Sequence, residues 1–169
     1  MSTKWNLDPS HSEITFKVKH LMISNVKGQF KDFNVALETE DDTFKSARAT
    51  ATIQTASVDT NNADRDNHLR SDEFFSAEKH PVITFETNSL NDDISGNLTI
   101  NGITKPVNLE VDFGGISVDP WGNTKAGFSF EGKIKRSEFG LNWNAALEAG
   151  GVMVSDEVKI AGELQFVKA

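Results

Sequence analysis

The chain has 169 residues, 37% of them apolar and 25% charged, which suits one soluble domain over residues 1–169. It has no cysteine, which excludes disulfide staples, thiolate metal sites and cysteine nucleophiles. The 17 basic and 25 acidic residues leave a net charge of −8, which argues against a grip on nucleic acid and offers nothing to anionic lipid headgroups.

From the N-terminus, Met1-Ser-Thr-Lys-Trp5-Asn-Leu-Asp-Pro9 holds no apolar stretch that could serve as a signal peptide. A cytoplasmic location is therefore expected for the chain as it stands, and a periplasmic one if a leader has been removed. No apolar run exceeds three residues, as in Leu21-Met22-Ile23, so no transmembrane helix and no stable membrane insertion are expected. Ser10, His11 and Ser12 read as a turn. After it, Ile14, Phe16, Val18 and His20 alternate with Glu13, Thr15, Lys17 and Lys19. Successive side chains of a strand point to opposite faces, so this segment has one apolar and one wet face.

The same period recurs at Phe33, Val35 and Leu37, and then at Ala47, Ala49, Ala51 and Ile53. Between this third strand and the next, Asn61 to Phe75 contains no β-branched residue and opens on good N-cap types, which predicts a short helix. Alternation resumes at Ile83 and Phe85, at Leu98 and Ile100, and at Val107, Leu109, Val111 and Phe113. It continues at Phe128, Phe130 and Ile134, then at Val158, Ile160, Leu164 and Phe166, with a further helical turn predicted over Ser137–Leu141. About eight antiparallel strands joined by turns such as Asn101-Gly102 give an all-β chain, open to a two-sheet sandwich or to a closed barrel.

The apolar rows also carry Ala47, Ala49, Ala51, Ala126, Gly132 and Gly162. Native interiors tolerate few voids, so these small residues imply either a ligand in the space they leave or large partners across the core. The aromatic residues are Phe 12, Trp 3 and Tyr 0. Phenyl rings can line an apolar channel, whereas a buried phenol needs a hydrogen-bond partner.

Among polar residues, no two of His11, His20, His68 and His80 stand at metal-ligand spacing, and no glycine-rich phosphate loop or nucleophile elbow occurs. His20 and Arg136 share parity with the inward rows and would lie near a rim. A buried guanidinium needs an acceptor, either a ligand oxygen or a neighbouring carboxylate, for which Asp59, Asp64 and Asp66 are candidates and make a structural ion pair the favoured account. Arg65, Asp66, His68 and Arg70 read as a solvated helix face, with Leu69, Phe74 and Phe75 anchoring the helix to the barrel end.

A longer set of blocks carries a family resemblance. Trp5 to Ser12, Phe16-Lys-Val-Lys-His20 and Val26-Lys-Gly-Gln-Phe30 are followed by Ser57-Val-Asp-Thr60 and Arg65-Asp-Asn-His-Leu-Arg-Ser71. Phe74-Phe75, Pro81 to Phe85, Gly96 to Val107, Arg136 to Leu141, Trp143-Asn144, Gly150-Gly151 and Asp156-Glu-Val158 complete the series. In this order the blocks resemble the YceI-like family over nearly the whole chain, with Trp5 where the family often carries tyrosine. The resemblance implies an eight-stranded antiparallel, lipocalin-like barrel with a short helix between strands 3 and 4. It also implies an interior pocket for a long-chain amphiphile, either a polyisoprenoid, an isoprenoid quinone or a fatty amide. Family members are commonly dimeric, so a homodimer is expected, and no cofactor is required beyond such a ligand.

On that basis Phe16, Val18, Ile53, Phe85, Leu109, Val111, Phe128, Phe130, Ile160 and Leu164 are expected to line the lipid channel. His20, Arg136 and His68 are expected near its open end. Carriage or storage of the lipid is the favoured function, without catalysis. An enzyme using His20 or His68 as general acid or base, and a filled barrel serving as an interaction module, are the alternatives.

Overall fold

One-sided alternation leaves every strand with an apolar face to bury, and curling the sheet until its edges meet buries all of them at once. The computed structural model describes residues 3–20, 23–40, 44, 47–72, 74–87, 93–141 and 154–169. Its eleven hydrogen-bonded segments form eight strands, because the first three strands are each interrupted once. Strand β1 comprises Thr3–Leu7 and Glu13–His20, split by a 3-10 turn at Pro9–His11. Strand β2 comprises Ser24–Phe30 and Phe33–Thr39, and β3 comprises Arg48–Gln54 and Val58–Asp59. Helix α1 (Ala63–Arg70) follows, then β4 (Val82–Thr87), β5 (Asp93–Ile100), β6 (Ile103–Val118), β7 (Thr124–Lys135) and β8 (Val154–Lys168).

Every strand pairs antiparallel with its neighbours in chain order. Closure is made by β8, which pairs with β7 on one side and with both halves of β1 on the other, at Trp5↔Lys168 and Phe16↔Ile160. The fold is a closed eight-stranded antiparallel barrel with one helix between β3 and β4. A bulge in β6 opposite Gly127 and Phe128 shifts the register there and bends the long β6–β7 hairpin.

Two pairing segments carry weak alternation in the sequence. Thr3–Leu7 is five residues long, and in Ser24–Phe30 the inward position Gly28 breaks the apolar row. Helix α1 is shorter than the predicted 61–75. Asn62 caps its start by accepting from the Arg65 amide at 3.0 Å, and Ser71 ends it in extended backbone with its hydroxyl on His68 O. The predicted turn after β7 is a 3-10 helix over Arg136–Phe139, closed by Gly140 at φ 73°, a left-handed conformation that favours glycine.

The break in β1 is held by one carboxylate. Asp8 accepts from the Ser10 amide at 3.1 Å and hydroxyl at 2.7 Å, and meets His11 Nδ1 at 2.8 Å. The Ser10 hydroxyl, and next the His11 side chain, hold its pKa down to about 2. A carboxylate depressed in the folded state stabilises the fold above its unfolded pKa and loses that contribution as pH falls through the folded value. Asp8→Asn is therefore expected to cost about 1 kcal/mol near neutral pH after allowance for solvent screening, and progressively less as pH falls toward and below about 2. Urea melts of both proteins at several pH values measure this, and a pH-independent difference would exclude Asp8 as the cause.

Candidate functional site

The inward rows do not meet across the barrel. They enclose a cavity of about 580 Å³, within the range of sites for small molecules and cofactors. Phe16 and Val18 of β1, Ile53 of β3 and Phe85 of β4 line it. So do Leu109 and Val111 of β6, Phe128 and Phe130 of β7, and Ile160 and Leu164 of β8. The structure thus brings together all ten residues expected along the channel. Val26, Phe30, Ile94 and Ile134 line it too, beyond the ten expected there.

Small residues keep this space open in two ways. Gly28, Gly96 and Gly162 are seats for phenyl rings: a Cβ on each would fall inside contact distance of Phe16, Phe85 and Phe130 respectively. Phe16 is directly opposite Gly28, and Phe130 opposite Gly162, so each ring lies against the neighbouring strand and not across the lumen. Ala49 and Ala51 instead line the cavity themselves. At Gly162 the small residue thus seats a ring of the adjacent strand, not a partner across the core, and at Ala49 and Ala51 it leaves open space. At Gly162 a Cβ would also lie 2.6 Å from the Glu13 carbonyl, which is backbone and cannot swing away. Gly162→Ala is expected to destabilise the barrel by roughly 1–3 kcal/mol through overpacking. Thermal unfolding measures this, and an unchanged melting temperature would show that Phe130 finds another seat at no cost.

One end of the barrel is dry. Phe44 is fully buried and packs on Trp5, Phe113 and Phe128 at centroid distances of 5.4, 5.1 and 5.0 Å, while Phe128 reaches Phe166 at 5.9 Å. Trp5 satisfies its indole N–H on Thr39 Oγ1 at 3.2 Å. Phe44 takes a positive φ of 62° to place its ring there. Its sequence surroundings are polar and acidic, so no periodicity marked it; an isolated phenylalanine in a polar stretch was the available signal.

The opposite end is polar. Asn62, Asp64, Arg65 and His68 of the α1 region and Arg136 after β7 line the cavity. Asn62 and Asp64 are also exposed, so the cavity reaches the surface beside α1. His68 stands edge-on to Phe74 at 4.9 Å. His20 closes β1 at this same end, paired with Ser24 and Val154, but its side chain lies outside the described residues.

Two expectations about this end are corrected. The α1 cluster is not a solvated face. Asp66 is buried and accepts from the Thr60 amide at 2.8 Å and hydroxyl at 2.6 Å. Arg65 donates Nε to Thr60 Oγ1 and Nη2 to Thr60 O, both at 2.8 Å, and Arg70 Nε donates to Ala56 O at 2.9 Å. The chain leaves the sheet after Asp59, and these side chains take over the pairing that the ladder no longer supplies.

Arg136, in turn, is held by backbone carbonyls and not by Asp59, Asp64 or Asp66. Asp59 pairs with Lys31 Nζ at 2.8 Å, and Asp66 with Thr60. Arg136 Nε donates to Ser155 O at 2.9 Å and Nη1 to Leu141 O at 2.6 Å. Burial pulls its pKa below the usual arginine value, and the charge of Asp156 partly offsets this. Asp156 is itself anchored, accepting from the Ser137 amide at 3.0 Å and hydroxyl at 2.9 Å. Burial raises the Asp156 pKa, but the Ser137 hydrogen bonds outweigh it and leave a net lowering.

Comparison with known proteins places this architecture. A UPF0312 protein of Staphylococcus epidermidis is 46% identical over 166 residues, covering 97% of both chains, and one of Staphylococcus aureus is 43% identical over the same share. The crystal structure of a Campylobacter jejuni YceI protein is 36% identical, with a TM-score of 0.76 over 89% of this chain and 90% of that one. A polyisoprenoid-binding domain from Saccharophagus degradans has the same fold at 16% identity, with a TM-score of 0.75 over 98% of each chain. The YceI-like domain model matches residues 5–166, and the chain belongs to the YceI-like family.

Proposed function

We propose that the protein binds a long-chain apolar lipid inside the barrel, for carriage or storage, with the tail among the phenylalanine, isoleucine and leucine side chains. The polar end of the lipid would face Arg65, His68 and Arg136. The observation that carries this reading is the cavity: about 580 Å³, apolar along the strands, with its charged side chains gathered beside α1. Removing an isoprenoid or acyl tail from water supplies about 25 cal/mol for each Å² buried. That drive needs no catalytic group and few polar anchors.

The polyisoprenoid-binding domain of Saccharophagus degradans supports a prenyl tail, and an isoprenoid quinone or fatty amide offers the same apolar length. Carriage is favoured over turnover because the charged groups at the polar end serve the fold, Arg65 on Thr60 and Arg136 on Ser155 and Leu141. The test is native mass spectrometry of the purified protein, with extraction and identification of what it holds, followed by titration of the lipid-free form with a polyprenol. A bound mass in the lipid range and saturable polyprenol binding are expected. A protein that carries nothing and takes up neither a polyprenol, a quinone nor a fatty amide would overturn the reading.

A further inference from the structure

The outer face of the barrel carries a charge pattern that the net charge hides. Lys27, Lys17, Lys159 and Lys133 stand directly opposite one another on the adjacent strands β2, β1, β8 and β7. Their sequence neighbours Val26, Val18, Ile160 and Ile134 line the cavity, so the four lysines point outward. At about 4.8 Å between strands the row spans roughly 15 Å. Like charges placed directly opposite weaken a sheet, so the row works against stability in a chain whose net charge is −8.

From this row to the strand ends, Lys19 and Lys135 add two more cations. Among the described residues the acidic side chains there are Glu138, Asp156 and Glu157, the last directly opposite Lys135. Asp156 is engaged by Ser137, and Glu157 meets Lys133 at 3.9 Å with both side chains exposed, a weak pairing. The same barrel end presents Ile23, 84% exposed, immediately before Ser24 in the β1–β2 hairpin. A basic row beside a projecting apolar side chain is the combination that holds a protein at an anionic bilayer, the lysines on the headgroups and the apolar group in the interface.

We infer that this face docks on an anionic lipid bilayer, with Ile23 entering the interface, so that the polar end of the cavity beside α1 lies next to the membrane. Peripheral docking of this kind needs no spanning segment. A bilayer fits better than an acidic protein because the row is joined to an exposed isoleucine and to the end where the cavity reaches the surface.

The test is co-sedimentation of the full chain with phosphatidylcholine vesicles, with and without phosphatidylglycerol, at low and high salt. Binding is expected only with phosphatidylglycerol, and high salt should weaken it. Each lysine near a membrane surface contributes about fivefold in affinity, so Lys17→Gln/Lys27→Gln/Lys159→Gln should lose on the order of 100-fold. Ile23→Ser should lose roughly tenfold. The charge-matched control Lys4→Gln/Arg48→Gln/Lys168→Gln, at the other end of the barrel, should bind as the parent does, and so should Trp121→Ser, whose exposed side chain lies on the β6–β7 hairpin at that same end.

Equal binding to both vesicle types would overturn the inference, as would an equal loss in the control triple variant or loss of binding in Trp121→Ser. Capture of polyglutamate in place of vesicles would reassign the face to a protein partner. Vesicle binding reads the outer face alone, so its failure is distinguishable from a failure to find lipid in the cavity.

Discussion

Ala51→Phe is expected to abolish lipid uptake while leaving the barrel folded. Ala51 lies in β3 between Val35 of β2 and Phe85 of β4, and its methyl group lines the cavity. The Phe85 ring does not cover it, because that ring is seated against Gly96 on the far side. A phenyl group at position 51 therefore projects into open lumen and meets no packed neighbour, unlike a substitution within the aromatic cluster at the dry end. If the new ring displaces four or five methylenes of a bound tail, roughly 3–4 kcal/mol of burial is lost. That corresponds to a loss of several hundredfold in affinity. The protein should melt no lower than the parent, since filling a void adds contacts. Polyprenol titration followed by tryptophan fluorescence, beside a thermal melt, measures both quantities. Unchanged affinity would place the lipid elsewhere, and a collapsed melt would show that the space at Ala51 is not free.

Much of the barrel was legible because a strand buried on one face must alternate, and the eight rows beginning at Ile14 map onto the eight strands. What escaped was every place where alternation carries no signal. Gly28 interrupts the inward row of β2 because the Phe16 ring occupies its Cβ position. Phe44 reaches the core from a segment with no period, by adopting a positive φ. The splits in the first three strands escaped too, because the inward parity switches across each one, from Trp5 to Ile14, from Phe30 to Val35 and from Ile53 to Val58, so neither half continues the other's row.

At the site, parity was enough to select the wall but not the hydrogen bonds at its polar end. Asp66 and Arg136 are charged residues whose partners, Thr60, Ser155 and Leu141, are mostly backbone groups. Backbone carbonyls carry no mark in a sequence, so a carboxylate was the visible acceptor for the guanidinium and solvent the visible environment for the helix face. The lysine row was hidden for a related reason. Each lysine sits in its own strand as an ordinary outward residue, and only the register of four strands sets them side by side.

Arg136→Met is expected to be the most destabilising of the substitutions considered, and it separates two roles for this side chain. The guanidinium is buried, and its Nε and Nη1 tie the 3-10 turn after β7 to Ser155 and Leu141. Methionine fills similar space but donates nothing, leaving two carbonyls without their charged donors. Each buried group left unsatisfied costs about 1–3 kcal/mol, so a loss of roughly 3–4 kcal/mol follows. For a chain of this size that lowers the melting temperature by roughly 10 °C. Arg136→Lys keeps the charge but not the planar fork, and should recover less than half of the loss. If Arg136 acts only as a pin, the lysine variant binds a polyprenol and a fatty amide with the parent's ratio of affinities. If the guanidinium also meets the polar end of the ligand, that ratio shifts, because an alcohol and an amide present different acceptors. A melting temperature unchanged in Arg136→Met would remove the pin and leave ligand contact as the reason for burying a charge there.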